Sequence, residues 1–184
     1  LRESGVLPPN PFWCSSSEPK AMATAAALAG GADIQVIDAL REQDRPTHWY
    51  DDAEEFEATV ARAMTEPHRP AEPGWEPAAR TTERVLAAVH RLVEIIPAGS
   101  SGEQRDLALA GHGTAWTLLI AAITGTPPDL EAWRWMRMPD HAALDLASRR
   151  LVQPWGAWMG HWSDHDDDSG PGTRRTGLRG SEAG

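Results

Sequence analysis

With a single cysteine, Cys14, the chain cannot close an internal disulfide, and no apolar run approaches the roughly 20 residues that a bilayer-spanning helix requires. No leader of basic start and apolar middle is visible, so a soluble, cytoplasmic protein with no membrane partner is the expectation. Positive charge is scarce as well: 17 Lys and Arg stand against 27 Asp and Glu, a formal net charge of -10. That balance disfavours the phosphate backbone of DNA or RNA, so nucleic acid is not an expected partner. A small anionic ligand remains compatible with it, because a few cations in a cleft focus potential whatever the overall sign. What is present is 41% hydrophobic residues in 184, enough for one domain with its own core and too few for two.

Proline and glycine punctuate the chain into short elements. Residues 1–7 read as the end of a helix stopped at Gly5, and 12–14 as a short strand. Ser16 or Ser17 is a suitable N-cap for an alanine-rich helix over 18–29, which Gly30-Gly31 ends. A strand at 34–37 and a loop over 38–50 lead to an acidic helix at 51–66, whose Phe56, Val60 and Met64 form one inner stripe. After a proline-rich connection at 67–77 comes the longest helix, 77–95, burying Val85, Leu86, Val89, Leu92 and Val93. A strand at 107–110, a helix at 114–124, a turn at Pro127-Pro128, a tryptophan-rich helical turn at 130–136 and a last strand near 142–146 follow. Strands alternating with helices predict an α/β three-layer sandwich, a mostly parallel sheet with helices on both faces. Beyond about Ser163 the sequence is too polar to offset its conformational entropy, so 1–162 is read as the domain and 163–184 as a disordered polar tail.

The most informative residue is His112, in Leu107-Ala-Leu-Ala-Gly-His-Gly-Thr114. A buried strand there hands over to a helix, which is where α/β sheets bind ligands. The unpaired N–H groups of the helix start, Gly113 first among them, and the positive dipole end favour an anion, phosphate above all. Lys20 lies in the first turn of its own helix, where a cation opposes the macrodipole; its position makes sense beside a bound anion. Glu42 follows a strand end, from which a carboxyl group can exchange protons with a leaving alcohol or an attacking water. On residue type alone, an exposed lysine, a solvated glutamate and a hydrogen-bonded structural histidine describe the three equally well.

Taken together, three segments resemble the histidine phosphatase superfamily, the phosphoglycerate mutase-like family. Ser16-Ser-Glu-Pro-Lys20-Ala21-Met-Ala-Thr24-Ala25 is similar to its Ser-x-x-x-Arg-Ala-x-x-Thr-Ala segment, and Leu40-Arg41-Glu42 to its Leu-x-Glu motif. The run 107–114 resembles its second-histidine strand and turn, and 138–146 the hairpin-like region that follows. The resemblance spans roughly residues 1–150 in the right order. It implies a phosphomonoester hydrolase for small phosphorylated substrates, acting through a phosphohistidine, with no cofactor and no metal. His112 then matches the second, phosphate-holding histidine, Glu42 the general acid and Lys20 a phosphate ligand, with Gly113 offering its amide. Lysine replaces the family's arginine, a point charge in place of a bidentate fork.

The family's nucleophile belongs to an Arg-His-Gly motif on its first strand. None of the seven histidines, 48, 68, 90, 112, 141, 161 and 165, follows an arginine. The expectation is a domain whose first strand is missing from this chain by N-terminal truncation, inactive as given, with an unpaired sheet edge. The alternative is a noncatalytic phospholigand-binding or interaction protein that keeps Lys20 and His112. A mutase fits less well, because 41–50 lacks a basic, bisphosphate-gripping character. Gly111-His-Gly113 is no dinucleotide loop, having neither the third glycine nor the acidic partner. His161, His165 and the acidic run 164–168 read as solvated tail, the clustered tryptophans at 133, 135, 155, 158 and 162 as core edge or cleft lining, and Cys14 as packing.

Overall fold

Three short strands form a parallel sheet in the order β2-β1-β3: β1 (Phe12–Ser15), β2 (Ile34–Val36) and β3 (Leu107–Ala110). The structure is a computed structural model describing residues 1, 3–46, 50, 52–96 and 105–157. β1 is hydrogen-bonded on both sides, with Cys14 opposite Gln35 and opposite Leu109, so the described sheet is continuous and its edges are β2 and β3. Alternation along β1 sends Phe12 and Cys14 to one face and Trp13 and Ser15 to the other.

On the Cys14 face lie α3 (Ala78–Ile95) and α4 (Gly113–Thr124). Cys14, Leu40, Val85, Val89, Leu92, Ala115, Trp116 and Leu119 form the main core there, with Phe12, Leu107 and Leu109 packed against it. Each fully buried Val or Leu contributes roughly 1.5–3 kcal/mol. The opposite face is covered by α1 (Pro19–Ala29), which touches all three strands and buries Ala21 and Ala25; small side chains let the helix approach closely. The three-layer α/β sandwich expected from the sequence is thus what forms. Burial pushes the Cys14 thiol up to about 11, consistent with packing and not reactivity.

A second cluster sits under α2 (Ala53–Thr65), where Val60, Ala63 and Met64 meet Trp75, Ala78 and Leu118, and half-buried Phe56 completes the stripe. On α3, Thr81 and Ala88 are buried together with Val85, Val89 and Leu92, whereas Leu86 and Val93 are only partly so. After α4 come α5 (Leu130–Trp135) and a hairpin of β4 (Ala143–Asp145) and β5 (Arg150–Gln153). No described helix is long and apolar enough to cross a membrane.

Two sequence expectations are corrected. α1 begins at Pro19 with Glu18 at the cap position and no side-chain cap bond, so neither Ser16 nor Ser17 caps it. Proline at the first helical position has no N–H to satisfy, and the Ser16 hydroxyl is engaged elsewhere. The strand near 142–146 does not extend the parallel sheet but pairs antiparallel with β5, its Leu144 opposite Leu151. Arg149, at the turn between them with φ of 56°, donates to the Ile123 carbonyl (2.7 Å) and ties the hairpin to the end of α4. The segment 163–184, His161, His165, Trp158 and Trp162 lie outside the described residues.

Candidate active site

β1 and β3 run side by side, so the residues that follow each strand emerge together at one edge. Ser16 N–H donates to the Ala110 carbonyl (3.1 Å), locking the two exits. His112 is the extended N-cap of α4, two residues past β3, and its side chain makes no cap bond. Instead its Nε2 lies 2.9 Å from the Oγ of fully buried Ser16 and 2.6 Å from Oε2 of Glu18. A carboxylate only accepts, so Nε2 carries the proton toward Glu18. Both partners converge on one ring nitrogen, which rules out a nucleophile relay; that would need the hydroxyl and the acid on opposite nitrogens.

Glu42 reaches the same place from the single 3₁₀ turn at Asp38–Leu40. Its backbone N–H donates to Glu18 Oε2 (2.8 Å), while its own carboxylate accepts from Ala115 N–H (2.9 Å), Thr114 N–H (3.3 Å) and Gln43 N–H (2.9 Å). Glu42 therefore supplies the cap that His112 does not, closing the α4 start with a negative charge at the positive dipole end. Glu42→Ala is expected to lose about 0.5–2 kcal/mol of stability. Urea unfolding checks this, and an unchanged midpoint would dismiss the capping role.

Two arginines of this region, Arg41 and Arg84, are held by carboxylates. Arg41 forks onto Asp44 (3.1 and 2.9 Å) and meets Asp38 at 3.1 Å; that hydrogen bond holds the Asp44 carboxyl below its usual range. Arg84 joins Glu76 at 2.7 Å and three backbone carbonyls of the 39–42 loop. Lys20, the one lysine in the sequence, is exposed in the first turn of α1 and has no ion pair among the described residues. Gly113 is the first residue of α4; a β-carbon there would stand 3.1 Å from Met136 Sδ and 3.7 Å from the Trp133 indole nitrogen, so an aromatic and thioether wall flanks the helix start.

Of the residues singled out from sequence, His112, Glu42 and Gly113 meet at one helix N-terminus, whereas Lys20 lies in the first turn of α1 and makes no ion pair with them among the described residues. Ser16 and Glu18 are partners that sequence reading assigned only to a helix start. Their signal is the parallel pairing of β1 with β3, which places Ser16 beside the turn carrying His112 and which no local pattern reveals. Among the described residues no three His, Cys, Asp or Glu side chains are grouped to hold a metal ion.

Comparison with solved structures finds the same architecture in several proteins. YhfR of Bacillus stearothermophilus aligns with a TM-score of 0.55 at 22% identity over 77% of this chain and 72% of that one. A mycobacterial glucosyl-3-phosphoglycerate phosphatase gives 0.54 at 21% identity over 78% and 76%. Mycobacterial hydrolase 1 gives 0.52 at 24% identity over 68% of this chain, which spans 63% of that protein's length. No functionally curated protein matches the sequence. The model of the histidine phosphatase superfamily (branch 1) matches residues 7–168, and with that extent of agreement the chain belongs to this superfamily.

Proposed function

We propose that this chain is built for phosphomonoester hydrolysis of the histidine phosphatase type and carries its phosphate-holding half, with small phosphorylated molecules as ligands. The observation that supports this best is the convergence of His112 Nε2 and the Glu42 backbone N–H on a single anionic oxygen, Glu18 Oε2, at 2.6 and 2.8 Å. A phosphoryl oxygen at that point meets the same two donors, and electrostatic positioning of this kind is where phosphoryl transfer gains most of its acceleration. Lys20 is the free cation nearest in sequence to this corner, and Gly113 contributes the first amide of α4.

Glu42 is the group we assign to protonate the leaving alcohol oxygen. Both of its oxygens accept backbone amides as a carboxylate, so this role requires the group first to take up a proton from solvent and to release at least one of those amides. The phosphohistidine step needs a second histidine, and no histidine of this sequence follows an arginine. The 184-residue chain is therefore expected to bind phosphate without turning over. A second reading is a noncatalytic phospholigand-binding protein that uses the same donors.

Titration with inorganic phosphate, followed by ³¹P NMR, tests the shared part. His112→Ala should weaken binding at least tenfold and Lys20→Arg should leave it equal or tighter; unchanged binding by His112→Ala would remove His112 from the site. Hydrolysis of an aryl phosphate with added imidazole then separates the readings. A rate at least tenfold above that of His112→Ala under the same conditions supports the catalytic one, because a free imidazole then replaces the missing nucleophile. No difference leaves the binding reading.

A further inference from the structure

We infer that Glu18 is an internal competitor for the anion position: its carboxylate occupies the oxygen site between His112 and the Glu42 amide, and an incoming oxyanion must displace it. This deepens the phosphate reading above and rests on it. Glu18 Oε2 takes both donors at once, at 2.6 Å from His112 Nε2 and 2.8 Å from Glu42 N–H. The carboxylate is held in register by its own backbone, because Glu18 N–H approaches Ser16 Oγ (3.4 Å), and Ser16 is itself bonded to His112.

Pro19 follows immediately at the first position of α1 and disfavours helical backbone at Glu18, which is extended (φ -76°, ψ 137°). The side chain is free to leave all the same. It is 40% exposed, against 13% for His112, so it can swing into solvent while the imidazole stays. The charge around it explains why displacement is needed. Glu42 already places a second carboxylate at the start of α4, and Arg41 and Arg84 are consumed by Asp38, Asp44 and Glu76. A doubly charged phosphate entering beside two carboxylates meets repulsion that the departure of Glu18 relieves. Glu18 thus sets a threshold on which anions enter: those with enough oxygens to satisfy His112, the Glu42 amide and the first amide of α4 together.

The test compares inorganic phosphate binding by the native chain, Glu18→Gln and Glu18→Ala, with unfolding curves confirming that each is folded. Glu18→Gln keeps the shape and can still accept from both donors while losing the charge; it should bind phosphate about tenfold more tightly. Glu18→Ala should bind at least as tightly as Glu18→Gln, and adding His112→Ala should abolish the gain in either. Equal or weaker binding by both variants, with the native chain binding, overturns the role of Glu18 and leaves the phosphate reading standing. Absence of phosphate binding in every variant overturns the phosphate reading, and this inference with it.

Discussion

Arg84→Ala is expected to cost about 3–5 kcal/mol of folding stability, the range for removing one partner of a buried ion pair, out of the roughly 5–15 kcal/mol a domain has in all. Arg84 and Glu76 are only 14% and 12% exposed, so bulk water does little to screen the pair. The guanidinium uses its whole fork: Nη2 and Nε meet Glu76 at 2.7 and 3.3 Å, Nη1 donates to the Ala39 and Arg41 carbonyls at 2.9 and 3.0 Å, and Nη2 also reaches the Glu42 carbonyl at 3.1 Å. Lysine has neither the planarity nor the donors to repeat this, so Arg84→Lys should recover only a minor part.

Burial alone raises the Glu76 carboxyl; Arg84, the Asp44 amide and the Thr81 hydroxyl outweigh it, and the net position is below the ordinary value of 4.5. A carboxyl lowered in the folded state stabilises fully above its unfolded value and loses that contribution as pH falls through the folded one. The native chain should therefore lose stability below about pH 4.5 in part through Glu76, and Arg84→Ala should show a shallower acid limb. Because the same guanidinium holds the backbone of Glu42, its loss also frees the cap of α4, and Arg84→Ala with Glu42→Ala should be less than additive. Urea midpoints across pH 3–7 measure all of this; a loss under about 1 kcal/mol for Arg84→Ala would show that the network is ornamental.

The parts of this architecture visible in the sequence are those that depend on local chemistry. Gly30, with φ of 62°, ends α1 where a left-handed residue was needed, and the stripe of Phe56, Val60 and Met64 settles α2 against Trp75. His112 stands out as a histidine between two glycines at a strand exit, and Glu42 only through the Leu40-Arg41-Glu42 resemblance, since a glutamate before a polar loop has a plain solvated reading. β5 carries no such mark: Leu151 and Val152 are exposed, so its pairing with β4 leaves no alternation to read. Glu18 eludes the sequence for a different reason. Next to Pro19 it looks like an ordinary first-turn acid, favourable to the dipole; only the parallel register of β1 and β3 turns it toward a histidine 94 residues away.

That same register exposes Gly111 to the second large effect. Gly111→Ala should destabilise the chain by about 1–3 kcal/mol or more, the range for overpacking a filled core, and should abolish phosphate binding with it. A β-carbon at this position would lie 2.2 Å from Cζ2 and 2.7 Å from Cε2 of Trp116. Trp116 is 9% exposed and belongs to the same buried cluster as Cys14, Val85, Val89 and Leu119, so a shift of its ring disturbs a filled core and the strain falls on the backbone at 111. The next residue is His112, and a shift of a few tenths of an ångström there already disturbs contacts of 2.6 and 2.9 Å.

Gly113→Ala provides the contrast. Its methyl would meet Met136 Sδ at 3.1 Å, the end of a flexible chain that can rotate away, so stability should change by under about 1 kcal/mol. Trp116→Phe, which removes the benzo ring that the methyl would strike, should rescue part of the Gly111→Ala loss at the expense of a smaller core side chain. Thermal unfolding of the two single variants and the double variant decides the matter. If Gly111→Ala melts with the native chain, or Trp116→Phe worsens it additively, the close approach of Gly111 to the indole is not what fixes the turn that aims His112.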